Sequence, residues 1–162
     1  MNNDYNSLQE NTSSLDDLDK KILSLIVENA RTPFLEVARE CGVSGAAIHQ
    51  RVQRLTSIGV ITGSEFTLNP TKVGYHTCAF IGIFLKDASY FDNVVCKMEA
   101  IPQVVECHYT TGKYAIFIKI YAKNNKHLKH ILHDKLQTIE GISSTETIVS
   151  LEESFKRQIT LD

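Results

Sequence analysis

The chain has 162 residues, which is enough for one medium domain or two small ones, and 43% hydrophobic with 22% charged residues is typical of a soluble globular protein. No stretch approaches the 18 or more apolar residues of a membrane helix, and residues 1–14 lack a secretion-signal pattern. We therefore expect a cytoplasmic protein with no membrane partner. The formal net charge of −2 argues weakly against a nucleic-acid partner.

Three short helices are predicted after a polar, disordered tail at residues 1–14. The first helix is capped by Asp16 and buries one face; its apolar positions are Leu18, Ile22, Leu25 and Ile26. The second opens at Thr32-Pro33 and ends at Gly42, which can take the positive φ of a tight turn. Ser44 caps the third, whose inward residues are Ile48, Val52 and Leu55. This pattern predicts a helix-turn-helix over residues 15–63.

The segment from Thr62 to Gly74 is predicted to be a wing-like strand and a linker, with Pro70 and Gly74 as breaks, and residues 64–76 are assigned to this wing and hinge. Two amphipathic helices, around Phe91 to Met98 and Leu128 to Ile139, alternate with four predicted strands. Those strands run over residues 78–85, 104–111, 115–122 and 142–151. The order β-α-β-β-α-β predicts a ferredoxin-like α+β domain over residues 77–151, followed by a tail over residues 152–162.

The third of these strands is apolar on both faces, with Ile116, Ile118 and Ile120 on one face and Ala115, Phe117 and Tyr121 on the other. The helices of one subunit cover only one face of such a sheet. Because a wet apolar face is costly, we predict a two-fold homodimer joined through the second face.

Several motifs in fixed order resemble the Lrp/AsnC, or feast/famine, family of transcription regulators. They are the run from Leu15 to Leu23, Cys41-Gly42-Val43-Ser44, residues 51–55, Gly59-Val60-Ile61, residues 69–75, residues 111–114, Gly141-Ile142 and residues 145–149. The resemblance covers about residues 15–155. It implies a winged helix-turn-helix followed by a ferredoxin-like, RAM-type domain. It also implies double-stranded DNA as partner, dimers that assemble further, often to octamers, and a small-molecule effector site between C-terminal domains.

The third helix is predicted to read DNA. No Asp or Glu lies between Ser44 and Gly63, so a local surface can meet phosphates. Glutamine can pair with adenine, and arginine can pair with guanine or hold phosphates. The candidate DNA-binding residues are Ser44, Gly45, Ala46, His49, Gln50, Arg51, Gln53 and Arg54. The alternative is that these residues only solvate a helix face.

The effector site is predicted around the turn at Gly112. In the resembling family this turn reads Gly-x-x-Asp and its acidic residue helps hold an amino acid, but Ala115 stands at that position here. Either another group accepts the ammonium, or the ligand differs, or none is needed. The candidates are Thr110, Gly112, Tyr114, Ala115, Thr145, Thr147 and Ile148, with strand packing and turn geometry as the alternative.

Neither a metal nor a cofactor is expected. His127, His130 and His133 recur every third residue, a spacing that winds around the helix and favours an exposed polar stripe. Cys107 and His108 are adjacent on a strand and point to opposite faces. The four cysteines at positions 41, 78, 96 and 107 form no Cys-x-x-Cys pair and sit among apolar residues, which predicts buried thiols.

Two rival functions remain open. One is an enzyme resembling the haem-precursor decarboxylases, which use His and Arg to grip tetrapyrrole carboxylates. The absence of Arg between Thr71 and Lys156 and of any recognisable catalytic motif argues against it and predicts that the chain is not an enzyme. The other is a partner subunit that has lost DNA binding and pairs with a sibling regulator.

Overall fold

The structure, a computed structural model, describes residues 15–161; the predicted tail at residues 1–14 lies outside them. Those residues divide into two compact units, one formed by residues 15–66 with 156–161 and the other by residues 67–155. Within the described residues, no helix is long and apolar enough to cross a membrane.

Three helices form the first unit: α1 (Asp17–Glu28), α2 (Phe34–Cys41) and α3 (Gly45–Ser57). A reciprocal capping box starts α1, because Asp16 Oδ1 accepts the Asp19 N–H at 2.7 Å and Asp19 Oδ2 accepts the Asp16 N–H at 3.3 Å. Gly42 ends α2 with φ of 69°, a left-handed conformation that favours glycine. Ser44 Oγ accepts the Ala47 N–H at 3.2 Å and caps α3 as predicted.

The core of this unit is small. Ile22 of α1, Val37 and Ala38 of α2 and Ile48 of α3 are fully or almost fully buried against one another. Leu55 is also fully buried, while Val52 is half-buried beside the cluster. The inward face predicted for α3 is therefore the face that packs.

The predicted wing-like strand does not form between residues 58 and 76. Val60 and Ile61 donate their N–H groups to the Leu55 carbonyl at 2.9 and 3.1 Å, and this segment then runs without regular structure to a single 3₁₀ turn, Thr71–Val73. A lone strand needs a neighbour to satisfy its backbone groups, and no other segment of the described chain pairs with this one.

The second unit is a four-stranded antiparallel sheet with helices on one face. Its elements are β1 (Thr77–Leu85), α4 (Phe91–Glu99), β2 (Val104–Tyr109), β3 (Ile116–Ala122), α5 (Asn125–His130) and β4 (Ile142–Ser150). The strand order β2-β3-β1-β4 confirms the ferredoxin-like arrangement. After α5 the chain continues as a π-helical segment, Ile131–Leu136, in which the Gln137 N–H reaches the Leu132 carbonyl five residues back.

Alternation along β1 and β3 builds the main core. Ile81 and Ile83 of β1 face Ile118 and Ile116 of β3, and all four are fully buried under the helices. The helices contribute Val94, Met98, Leu128 and Ile131 to the same cluster.

The opposite sheet face is not purely apolar, which corrects the prediction made for β3. Phe80 and Phe117 stack there with ring centroids 5.8 Å apart, but Lys119 also lies on this face and is only 7% exposed. Its Nζ pairs with Glu153 at 3.0 Å and with Glu106 at 3.6 Å. Burial lowers the pKa of Lys119, but the hydrogen bond to Glu153 and the charges nearby outweigh it and raise the pKa above its ordinary value. Ala115 packs instead against the helix-side core.

The prediction of four buried thiols is wrong. All four cysteines are free, but Cys41 and Cys78 are half-buried and Cys96 and Cys107 are exposed. Cys107 pairs with Ile118 across the ladder and so points to the helix side, yet it lies on β2, at the sheet edge. Apolar neighbours in the sequence did not guarantee that a cysteine is buried, because burial depends on whether another element of the fold packs over it.

Candidate DNA-binding helix and effector cavity

The outward face of α3 carries four of the predicted DNA-binding residues in one exposed set: Ala46, His49, Gln50 and Gln53. Gly45 is half-buried, and Ser44 is exposed at the helix start, where its hydroxyl is already used as the cap. The His49 ring contacts Phe34 of α2 edge-on, with centroids 5.8 Å apart. Two glutamine amides thus project from a face whose first turn bears no side chain larger than a methyl group.

The two arginines of α3 lie differently from the glutamines. Arg51 Nη1 contacts Asp16 Oδ2 at 2.5 Å and Asp19 Oδ1 at 2.8 Å, and Arg54 Nη2 pairs with Asp19 Oδ2. The Asp19 side chain is 1% exposed, whereas those of Arg51 and Arg54 are 30% and 42% exposed. A buried carboxylate of α1 therefore holds both arginines of the helix that is predicted to read DNA.

Sequence reasoning missed this network because it counted acidic residues along the chain and not in space. The stretch from Ser44 to Gly63 contains no acid, but α1 brings two carboxylates to its arginines. The helical pattern held the signal: Asp19 precedes Ile22 and Ile26 by three and seven residues, which places it on the buried face of α1.

The Asp16 ion pair predicts a pH dependence. The hydrogen bond from Arg51, with that from the Asp19 backbone, lowers the pKa of Asp16 below its ordinary value of 3.8. A lowered carboxyl pKa stabilises the folded state above the unfolded value, and this contribution is lost as pH falls through the lowered pKa. At pH values below about 4, we expect the melting temperature of the first unit to fall less steeply with pH in Asp16→Asn than in the wild type. Calorimetric scans of both proteins at several pH values measure this, and parallel curves would contradict it.

A cavity of about 380 Å³ lies in the second unit, beside the β2–β3 turn. This volume is at the lower end of ordinary small-molecule sites, about 300 to 1,000 Å³. Four predicted effector residues line it: Thr110, Gly112, Tyr114 and Ala115. Sequence reasoning missed its other lining residues, which are Phe84, Leu85, Asp87, Ala88, Phe91, Tyr109 and Lys113.

Close packing holds the walls of this cavity in place. The Thr110 hydroxyl donates to the Tyr114 carbonyl at 2.6 Å, which fixes the turn. The Tyr114 ring lies directly over Gly82 of β1, where an added Cβ would come within 2.3 Å of the ring. Gly82 is therefore needed for the close approach of the tyrosine, a signal of the kind that an isolated glycine in a strand provides.

The remaining predicted effector residues lie on β4 and do not line the cavity. Thr145 and Thr147 pair with Ile83 and Ile81 of β1 and are half-buried on the helix side of the sheet. Ile148 pairs with Phe80 and lies on the opposite face, where it is 49% exposed. Within one subunit these three residues therefore lie outside the cavity.

The histidine stripe after β3 makes local contacts. His127 Nδ1 accepts the Lys123 N–H at 3.1 Å, and His130 Nδ1 lies 2.5 Å from Asp134 Oδ2. Across residues 15–161, no three His, Cys, Asp or Glu side chains come together in a way that could hold a metal ion.

Family models match both units. Residues 15–56 match the AsnC-type helix-turn-helix domain, and residues 78–159 match the Lrp/AsnC ligand binding domain. This chain belongs to the Lrp/AsnC family.

Relatives match this Lrp/AsnC chain over about nine-tenths of its length. The Regulatory protein AsnC of Haemophilus influenzae is 41% identical over 90% of this chain and 97% of its own length. The solved structure of E. coli AsnC has a TM-score of 0.85 at 41% identity and covers 90% of this chain and 98% of its own. A feast or famine regulatory protein from M. tuberculosis, solved in complex with L-methionine, has a TM-score of 0.85 at 27% identity and covers 91% of this chain and 100% of its own.

As a member of the Lrp/AsnC family, the chain is a DNA-binding transcription regulator with a small-molecule-binding C-terminal domain. The relatives are named as regulators.

Proposed function

We propose that this cytoplasmic regulator binds operator DNA through α3, either as a homodimer or as an octamer built from four such dimers. We further propose that an amino acid or related metabolite modulates that binding. The observation that carries the DNA part is the exposed face of α3, on which His49, Gln50 and Gln53 stand beside a small-residue first turn. A glutamine amide can accept from N6 and donate to N7 of adenine in the major groove, and a helix without bulk at its N-terminus can approach the bases closely.

The roles of the two arginines follow from their pairing. Arg51, with the less exposed side chain, contacts two carboxylates, so we assign it to the orientation of α3 against α1. Arg54 is 42% exposed and shares Asp19 with Arg51, so its guanidinium has further N–H groups that can reach a phosphate. Ser44 and Gly45 would bring the amide end of the helix to a neighbouring phosphate.

The dimer is supported by the open face of the sheet. Phe80, Phe117 and Ile148 lie there, on the side of the sheet away from the helices described for residues 67–155. A second copy would cover these side chains and would place two copies of α3 on one duplex. The β4 candidates, Thr145, Thr147 and Ile148, would take part in effector binding only if assembly brought a second subunit's turn to them.

The effector part is supported by the cavity beside Gly112 and by the L-methionine bound to the M. tuberculosis relative. Mobility-shift assays on the protein's own upstream DNA, with and without each of the twenty amino acids, test the whole proposal. A missing shift would favour the partner-subunit hypothesis instead.

Base reading by α3 predicts a sequence-dependent loss. Replacing Gln50 and Gln53 together by Ala should weaken operator binding at least tenfold and leave binding to unrelated DNA almost unchanged. The reason is that a good bidentate contact between a side chain and a base contributes about 1–3 kcal/mol of discrimination. Gln137→Ala removes the same side chain from an exposed position in the second unit and should change neither affinity. Equal losses on operator and unrelated DNA would refute base reading by these two residues.

A further inference from the structure

Two charged side chains line the effector cavity, and only one of them is neutralised. Lys113 Nζ pairs with Glu146 at 2.6 Å. Asp87, by contrast, accepts the Ser89 N–H at 2.9 Å, and within residues 15–161 no lysine or arginine forms an ion pair with it. The hydrogen bonds from Ser89 lower the pKa of Asp87, so its carboxylate is charged at neutral pH. The cavity therefore carries one uncompensated negative charge.

The rest of the lining suits a ligand with a positive head and an apolar body. Phe84 and Tyr114 meet edge-on with centroids 5.3 Å apart, and Phe91 and Tyr109 lie 4.6 Å apart. Aromatic faces attract cations and bury aliphatic or aromatic groups. Ala115 lines the same cavity and offers a methyl group with no charge.

We propose that Asp87 accepts the ammonium group of the effector, which makes it a specificity-determining residue for amino acids in a cavity where Ala115 supplies no acid. Lys113 lines the same cavity. Its ammonium group has three N–H donors, so after pairing with Glu146 it can still donate to the carboxylate of an amino acid. The effector class is thus an α-amino acid with an apolar side chain. This inference rests on the proposal that an amino acid modulates the regulator.

The test is calorimetric titration of the full-length protein with each of the twenty L-amino acids, followed by titration of variants with those that bind. Asp87→Asn keeps an oxygen for the Ser89 N–H but removes the charge, and it should weaken binding by about 10- to 100-fold. Asp92→Asn removes an equal charge from an exposed position on α4 outside the cavity and should leave affinity within about twofold. Melting curves check that both variants are folded.

A rescue variant distinguishes a charge effect from a change of shape. Adding Ala115→Asp to Asp87→Asn returns a carboxylate to the cavity from another wall and should recover at least tenfold in affinity if the double variant melts like the wild type. If Asp87→Asn binds the amino acid with wild-type affinity, the role of Asp87 is wrong, whereas the proposal of an amino-acid effector is not affected. Failure of all twenty amino acids to bind the wild type, with operator binding intact, would overturn the amino-acid effector and this inference together.

Discussion

Asp19→Ala should lower the melting temperature of the helix-turn-helix unit by about 10–20 °C and abolish operator binding at temperatures where the C-terminal unit stays folded. Both carboxylate oxygens of Asp19 are occupied, one by Arg51 and the other by Arg54 and the Asp16 N–H. Removing this buried acceptor leaves the guanidinium groups of Arg51 and Arg54 without their shared carboxylate and removes one hydrogen bond of the capping box of α1.

The expected loss is about 2–3 kcal/mol of unfolding free energy. Breaking a fully buried ion pair costs about 3–5 kcal/mol, but the side chains of Arg51 and Arg54 are 30% and 42% exposed and can turn to water. The unit has few fully buried apolar side chains, so a loss of this size is a large share of what holds it together.

Scanning calorimetry of the full chain and mobility shifts over temperature measure this effect. Asp17→Ala is the matched control, because Asp17 lies in the same first turn but is exposed, so its loss should cost no more than about 1 kcal/mol. Equal melting temperatures for the two variants would show that the Asp19 network does not hold α3 in place.

Phe117→Asp should convert the protein to a monomer and weaken operator binding by at least 100-fold. Phe117 stacks on Phe80 in the open sheet face and lies 5.9 Å from the Tyr114 ring, near the centre of the proposed contact. In the dimer this carboxylate would lose its water and face the same carboxylate of the second copy across the two-fold axis, and both effects are unfavourable. Loss of the second α3 removes the gain from two linked sites, about 10²–10⁴ in affinity.

Analytical ultracentrifugation gives the mass and a mobility shift gives the affinity. Val27→Asp, at a 48% exposed position on α1, introduces the same charge into the other unit and should leave the mass unchanged. A Phe117→Asp protein that sediments with the wild-type mass would refute dimerisation through this face.

The elements whose local signals agreed with packing were predictable from sequence. Asp16, Gly42 and Ser44 mark helix ends through their own backbone and side-chain chemistry, and the structure places them where predicted. The alternating isoleucines of β3 are fixed to one face, because a one-residue slip in register would move all three out of the core under the helices. These features depend on near neighbours in the chain.

Contacts between distant segments were not predictable in this way. The pairing of Asp19 with Arg51 and Arg54 joins residues more than thirty positions apart, and Asp87 shares a cavity with Ala115 only because β1 and β3 lie side by side. The absent wing strand and the exposed cysteines have the same origin, since both depend on whether another segment covers or pairs with them. Sequence alone therefore determined the helices, the four strands of the C-terminal sheet and the family, because propensity and periodicity act over a few residues. Only the tertiary structure decided which charges are neutralised and which remain for a ligand, because electrostatic pairing acts through space.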